Sequence, residues 1–344
     1  MKKHVTIHDI ARELNISAST VSRALNDHPR ISETTRKKVR ELAEKYHYQP
    51  NHLAASLRKG KGNTLGVIVP RINRSFFAHV IGGIEEELTR QGYNLMICQT
   101  HEKLENEIAS IATLLNARVD GIMMSLSMET DRYDHLDALL QNQVRLLFFD
   151  RVPPDFPVRS VVINDYRAAF DMVQHLVEQG FRKIGHVGGP SHINVYAERR
   201  RGYLEAVRAA GLEMDERWIV TGEMTRAGGE RALRTILKLK NRPDALVCSG
   251  DFTALGVLEA ARAKGIRLPD ELAVTGFANE DFTRYLDPPL TTVDQRGLTM
   301  GQTVATQFLG EITGLSVPGT PEKVVLEPEL IIRESSTRRV LNKS

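Results

Sequence analysis

The chain has 344 residues, 41% hydrophobic and 26% charged, which is ordinary for a soluble globular protein and too long for one core, so two or three domains are expected. Residues 1–60 hold 12 Lys+Arg against 6 Asp+Glu, a net of +6, whereas the whole chain is +3: a basic head on a slightly acidic body assigns a polyanion partner to the head alone. No apolar run reaches the roughly 18 residues of a membrane span, Met1-Lys2-Lys3-His4 runs straight into polar helix without a secretory leader, and Cys98 and Cys248 sit in separate apolar runs as buried free thiols. These features predict a cytoplasmic protein with no membrane partner.

The head begins with Thr6-Ile7-His8-Asp9-Ile10-Ala11-Arg12-Glu13-Leu14. Thr6 can cap a helix with Asp9 in the capping-box position, and Ile7, Ile10, Ala11 and Leu14 give it one apolar face. Asn15-Ile16 is a tight connection into Ser17, a good N-cap for a second helix whose Val21, Ala24 and Leu25 recur at i, i+3, i+4. The opposite face, Ala18, Ser19 and Ser22 with Arg23 reaching furthest, is small enough to enter a major groove about 12 Å wide. Helix, short turn, helix is the geometry in which the second helix reads DNA. A third helix from Ser32 closes the core with Val39, Leu42 and Ala43, and its flank Arg36, Lys37, Lys38 can meet phosphates, which position the head without reading sequence. Gln49-Pro50 ends it, Asn51 caps a short segment through Arg58, and Lys59-Gly60-Lys61-Gly62-Asn63 is a linker. Segment 51–58 is too short for a stable isolated helix and is expected to order when paired or bound.

From Thr64 the pattern changes to continuous apolar strands (65–69, 95–98, 122–126, 146–149, 161–163) separated by amphipathic helices (76–91, 103–118, 132–142), which implies a parallel sheet covered on both faces. A second round follows, with strands near 184–187, 218–221, 245–249 and 272–277 and helices near 166–179, 195–210, 227–240 and 252–264. The tail holds Leu290-Thr291-Thr292-Val293, a helix near 298–313 and one last strand near 323–333. The expected fold is therefore an N-terminal all-α helix-turn-helix head (1–50), a hinge and linker (51–63), and an α/β core of two doubly wound lobes (64–340).

Val5-Thr6-Ile7-His8-Asp9-Ile10-Ala11, Ser19-Thr20-Val21-Ser22-Arg23-Ala24-Leu25-Asn26 and Tyr48-Gln49-Pro50-Asn51 with Ala54 and Leu57 resemble the head of the LacI/GalR family of bacterial transcriptional repressors. Leu65-Gly66-Val67-Ile68-Val69-Pro70, Arg118-Val119-Asp120-Gly121-Ile122, Gly250-Asp251 with Ala254 and Gly256, and Pro289-Leu290-Thr291-Thr292-Val293 carry the resemblance through the chain. It implies a periplasmic-binding-protein-like core whose chain crosses between lobes three times, with lobe one as 64–163 plus 293–324 and lobe two as 164–292 plus 325–340. It also implies base reading by Ala18, Ser19 and Arg23 and a minor-groove wedge at Leu57. The expected DNA-contacting set is Thr6, Ser17, Ala18, Ser19, Thr20, Ser22, Arg23, Asn26, Asn51, Ala54 and Leu57. For an effector between the lobes it is Phe76, Phe77, Asp150, Arg151, Arg199, Asp251, Asn279 and Gln295. The chain departs from the family at Ala278, where most relatives carry a ligand-gripping Asp; Asn279 or Glu280 are the nearest substitutes. Ile193 and Val195, where a purine-binding member has polar contacts, argue against a purine.

The resulting expectation is a DNA-binding regulator, a repressor, that binds a palindromic double-stranded operator as a homodimer. A small polar effector, a sugar, controls it. A protein co-regulator in place of the sugar remains the alternative. A secreted sugar-binding protein would lack the basic head. An enzyme, a cofactor and a metal are not expected: there is no Gly-x-Gly-x-x-Gly after a strand, no P-loop, no nucleophile elbow, and the eleven histidines show no ligand spacing.

Overall fold

A computed structural model describes residues 5–25, 27–46, 48, 62–142, 144–154, 156–315 and 322–338. Asn26, the hinge residues Asn51, Ala54 and Leu57, and the expected helical segment 51–58 lie outside them. The chain divides into two compact units, Met1–Gly62 and Asn63–Ser344.

In the first unit, α1 (Ile7–Glu13), α2 (Ala18–Leu25) and α3 (Glu33–Lys45) close on Ile10, Ala11, Val21, Ala24, Val39, Leu42 and Ala43. Asp9 accepts from the Thr6 backbone N–H at 2.9 Å and the Thr6 hydroxyl at 2.7 Å. The α1–α2 turn is set by Asn15 in the left-handed region, φ 51°, which Asn tolerates better than most residues. Ser17 Oγ accepts from the Thr20 N–H at 3.1 Å, and Ser32 Oγ from the Thr35 N–H at 3.3 Å, so both helices start at the expected caps.

The second unit alternates β1 (Thr64–Val69), α4 (Ser75–Arg90), β2 (Asn94–Gln99), α5 (Leu104–Asn116), β3 (Gly121–Met124), α6 (Asp134–Gln141), β4 (Arg145–Phe149) and β5 (Arg159–Ile163). Then come α7 (Asp165–Glu178), β6 (Ile184–Gly188), α8 (Asn194–Ala209), β7 (Ile219–Thr221), α9 (Arg226–Ile236), β8 (Ala245–Cys248), α10 (Asp251–Ala263) and β9 (Ala273–Thr275). The tail is β10 (Thr292–Asp294), α11 (Gly297–Thr313), β11 (Lys323–Leu326) and β12 (Glu329–Ile331).

Lobe one is a parallel sheet in the order β11-β5-β4-β3-β1-β2, and lobe two a parallel sheet β7-β6-β8-β9. Residues 323–333 are two strands rather than one. β11 finishes the first sheet, and β12 pairs antiparallel with β10. Pro328 lies between them and has no N–H to continue a ladder. The lobe-one helices α4 and α11 meet backbone to backbone. A Cβ on Gly301 would lie 2.1 Å from the Val80 carbonyl oxygen, and one on Gly83 2.4 Å from that of Leu298. That contact anchors α4, whose N-terminus reaches the space between the lobes.

Candidate nucleic-acid interface and ligand cleft

Two sites follow from this framework. On the head, α2 buries Val21 and Ala24 and turns Ser19 and Arg23 to solvent. Ser17 Oγ also bonds the hydroxyls of Ser19 (2.7 Å) and Thr20 (2.8 Å), a small polar cluster at the helix start. The Arg23 guanidinium is exposed and has no ion pair or hydrogen bond among the described residues. The α3 flank is split. Arg36 and Arg40 both converge on Asp27, which leaves Lys37 and Lys38 as its exposed cations, unpaired among the described residues.

In the second unit a cleft of about 360 Å³ opens where the strands of both lobes end. Seven of the eight expected effector residues line it: Phe76 and Phe77 from the first turn of α4, Asp150 and Arg151 after β4, Arg199 on α8, Asp251 opening α10, and Gln295 after β10. Asn279 does not. Its amide donates to Asp294 at 3.1 Å and its Oδ1 accepts from Arg333 at 2.8 Å, so it ties the crossover segments instead. Arg71, Arg74, Glu102, Tyr196, Phe252 and Phe277 also line the cleft and are new to the site. The available signal for them was position, because each follows a strand or opens a helix at the C-terminal edge of a sheet.

Much of the cleft's charge is internally neutralised. Arg199 Nε donates to Asp165 at 2.7 Å and Nη1 to the Ser249 carbonyl at 2.9 Å, with the guanidinium 3.6 Å over the Phe277 ring. Burial pushes Asp165 up to about 6, against the lowering effect of Arg199. Arg151 Nη1 donates to Glu102 at 2.6 Å. Burial raises the Glu102 carboxyl, but Arg151 and the Met128 N–H more than offset it and hold Glu102 below its ordinary value. Asp251 accepts from the Thr292 hydroxyl at 2.6 Å and the Glu280 N–H at 2.8 Å, and burial pushes it up to about 7. Asp150 is held loosely: 5% exposed, φ 59°, its side chain accepts from Ser125 at 3.3 Å and pairs with Arg151 Nε at 3.9 Å. Burial raises its pKa, with Arg151 and Arg199 opposing.

The rim is bridged. Glu280 accepts from the N–H (3.0 Å) and hydroxyl (2.7 Å) of Ser75 at the start of α4. Asn194 accepts from the Val152 N–H at 3.0 Å and donates to the Asp150 carbonyl at 3.0 Å. Arg74 stacks 3.5 Å over Phe252. The arrangement offers aromatic faces beside a loosely held buried carboxylate and edge guanidiniums, groups able to hold a polyhydroxylated molecule. Among the described residues no cluster of three or more His, Cys, Asp or Glu could hold a metal.

Two family models match the chain: bacterial regulatory proteins of the lacI family over residues 6–51, and a periplasmic binding protein-like domain over residues 173–336. The HTH-type transcriptional repressor CytR of Escherichia coli K12 is 32% identical over 334 residues, 96% of each chain. The chain belongs to the lacI family of bacterial regulatory proteins. As a lacI-family member it is a DNA-binding transcriptional regulator, with the head and the two-lobed core as its two working parts. Among solved structures, the transcriptional regulator CelR–cellobiose complex superposes with a TM-score of 0.74 at 28% identity, covering 96% of this chain and 99% of that one. The lac repressor dimer bound to operator and the anti-inducer ONPF superposes with a TM-score of 0.86 at 24% identity, covering 98% and 100%, which bears on fold alone. No helix among the described residues is long and apolar enough to cross a membrane.

Proposed function

We propose that this lacI-family chain is a cytoplasmic, non-enzymatic repressor that binds a palindromic operator as a homodimer and is switched by a small polar effector, a sugar or sugar derivative, held between its lobes. The observation that carries the reading is the cleft itself: Asp150 is buried with one long hydrogen bond and a 3.9 Å ion pair to Arg151, and Phe76, Phe77 and Tyr196 line the same cleft, so a loosely held acceptor lies among faces that stack on a sugar ring. One head has few base-reading side chains, and two-fold symmetry doubles them on an inverted repeat. Ala18, Ser19 and Arg23 read bases; Lys37 and Lys38 meet phosphates; Leu57 wedges the minor groove at the centre. The head joins the chain at Asn63, next to the first strand of lobe one, so a ligand that favours one lobe arrangement shifts the spacing of paired heads. The cellobiose in the CelR complex is consistent with a saccharide for this cleft.

The test is a thermal-shift screen of mono- and disaccharides against the wild type and Asp150→Asn, followed by operator binding with each hit. A hit stabilises the core by mass action, loses that effect in the variant, and changes operator affinity. A hit that stabilises both proteins equally places the effector elsewhere.

A further inference from the structure

At the other end of the lobe-two sheet, where β6 and β8 begin, lies a second groove of about 650 Å³. Its rim carries five exposed cations, Arg182, Lys183, Lys240, Arg242 and Lys264. Its floor is apolar, formed by Leu233, Ile236, Pro243 and Leu272, with half-buried Leu237 and Ile266 beside them. The two acids in the lining are already engaged. Asp244 accepts from the backbone N–H groups of Arg182 (3.2 Å) and Lys183 (2.9 Å), and Glu271 from that of Arg267 at 2.8 Å. Arg182 is held by the Val177 and Phe181 carbonyls, and Lys183 by Asn241. The side chains of Lys240, Arg242 and Lys264 have no ion pair or hydrogen bond among the described residues.

The backbone decides what kind of anion fits. α9 and α10 end at this groove, with Leu237 and Lys264 as their C-caps, and helix C-termini carry partial negative charge. The nearby N–H donors of Arg182 and Lys183 are occupied by Asp244. A compact dianion such as phosphate would meet an apolar floor and the carbonyl ends of two helices, and find no backbone cradle. A chain that lays apolar side chains on the floor and holds its carboxylates out to the rim satisfies both parts. We propose that this groove docks an acidic amphipathic segment of a partner protein, which gives the core an input separate from the interlobe cleft.

The probe is a fluorescein-labelled dodecapeptide of interleaved leucine and glutamate, titrated into the full chain by fluorescence anisotropy. Wild type binds it and loses at least about ten-fold in affinity between low and high salt. The triple variant K240E/R242E/K264E loses at least that much at low salt, while K323E, on the edge of the lobe-one sheet, binds normally. Folding of each variant is checked by Trp218 fluorescence. If the triple reversal fails to fold, K240Q/R242Q/K264Q replaces it, with a several-fold loss expected. The proposal is overturned if wild type does not bind the peptide, if polyglutamate of equal length binds as tightly, if inorganic phosphate displaces the peptide, or if the triple variant changes the sedimenting mass, which would make this face a contact between copies of the chain. Thermal stabilisation by a saccharide is expected to persist in the triple variant, so failure of the cleft reading is separable from failure of this one.

Discussion

Arg199→Ala tests how far the cleft supports itself before any ligand arrives. The substitution leaves Asp165, 4% exposed, beside an empty space where its cation stood, and it removes a donor from the Ser249 carbonyl and a cation from the Phe277 ring. Removing one partner of a buried pair costs about 3–5 kcal/mol, because the remaining charge is uncompensated. The cost depends on pH. Asp165 binds its proton more tightly in the folded chain than in the unfolded one, near 6 against an ordinary value near 4, so its burial lowers stability as pH rises through that window. Without Arg199 the folded value rises further, and the penalty grows from pH 5 to pH 8. The assay is urea unfolding followed by Trp218, the chain's one tryptophan, fully buried in lobe two. Asp165→Asn combined with Arg199→Ala recovers about 1–3 kcal/mol of the single-variant loss at pH 8. A loss below about 1 kcal/mol at both pH values, or no recovery in the double variant, would refute the buried-pair account.

Other outcomes follow from the same geometry. Arg23→Ala weakens operator binding by about 1–3 kcal/mol and relaxes preference at one base pair per half-site, whereas Lys37→Ala weakens all sequences alike and lowers the salt slope; equal, uniform losses in a binding-site selection would contradict the assignment. Asp251 is pushed up to about 7, so it draws stability down as pH rises from about 4 to 7, and Asp251→Asn flattens that part of the stability–pH curve; an unchanged curve would count against it. Gly301→Ala drives a Cβ into the Val80 carbonyl and lowers core stability by about 1–3 kcal/mol in thermal melts, with a wild-type melting temperature as the contrary result.

The head was readable because its information is local. Ser17 caps three residues away, Asn15 sets its own turn, and Val21 and Ala24 face inward by helical spacing alone. The strand–helix alternation was readable for the same reason, since each element carries its own period. What stayed hidden was pairing over distance. Arg199 and Asp165 are 34 residues apart and nothing local indicates that each neutralises the other. Asn279 was placed in the cleft by its neighbours in sequence, yet its side chain is taken by Arg333, 54 residues on, and by Asp294. Arg71 and Arg74 sit in a polar loop with no period, and only the meeting of the lobes brings Arg74 onto Phe252.

The position of β11 governs how the chain is made. Residues 323–326 complete the lobe-one sheet beside β5, although every other strand of that sheet lies between Thr64 and Ile163. On the ribosome the three-helix head and the four strands of the lobe-two sheet emerge while lobe one still has β5 as an open edge, a ready template for mispairing. A message cut short between β5 and residue 323 therefore yields a DNA-binding head on an unfinished, aggregation-prone core. Such a fragment is removed by aggregation and proteolysis instead of persisting at the operator as a repressor that no effector can release.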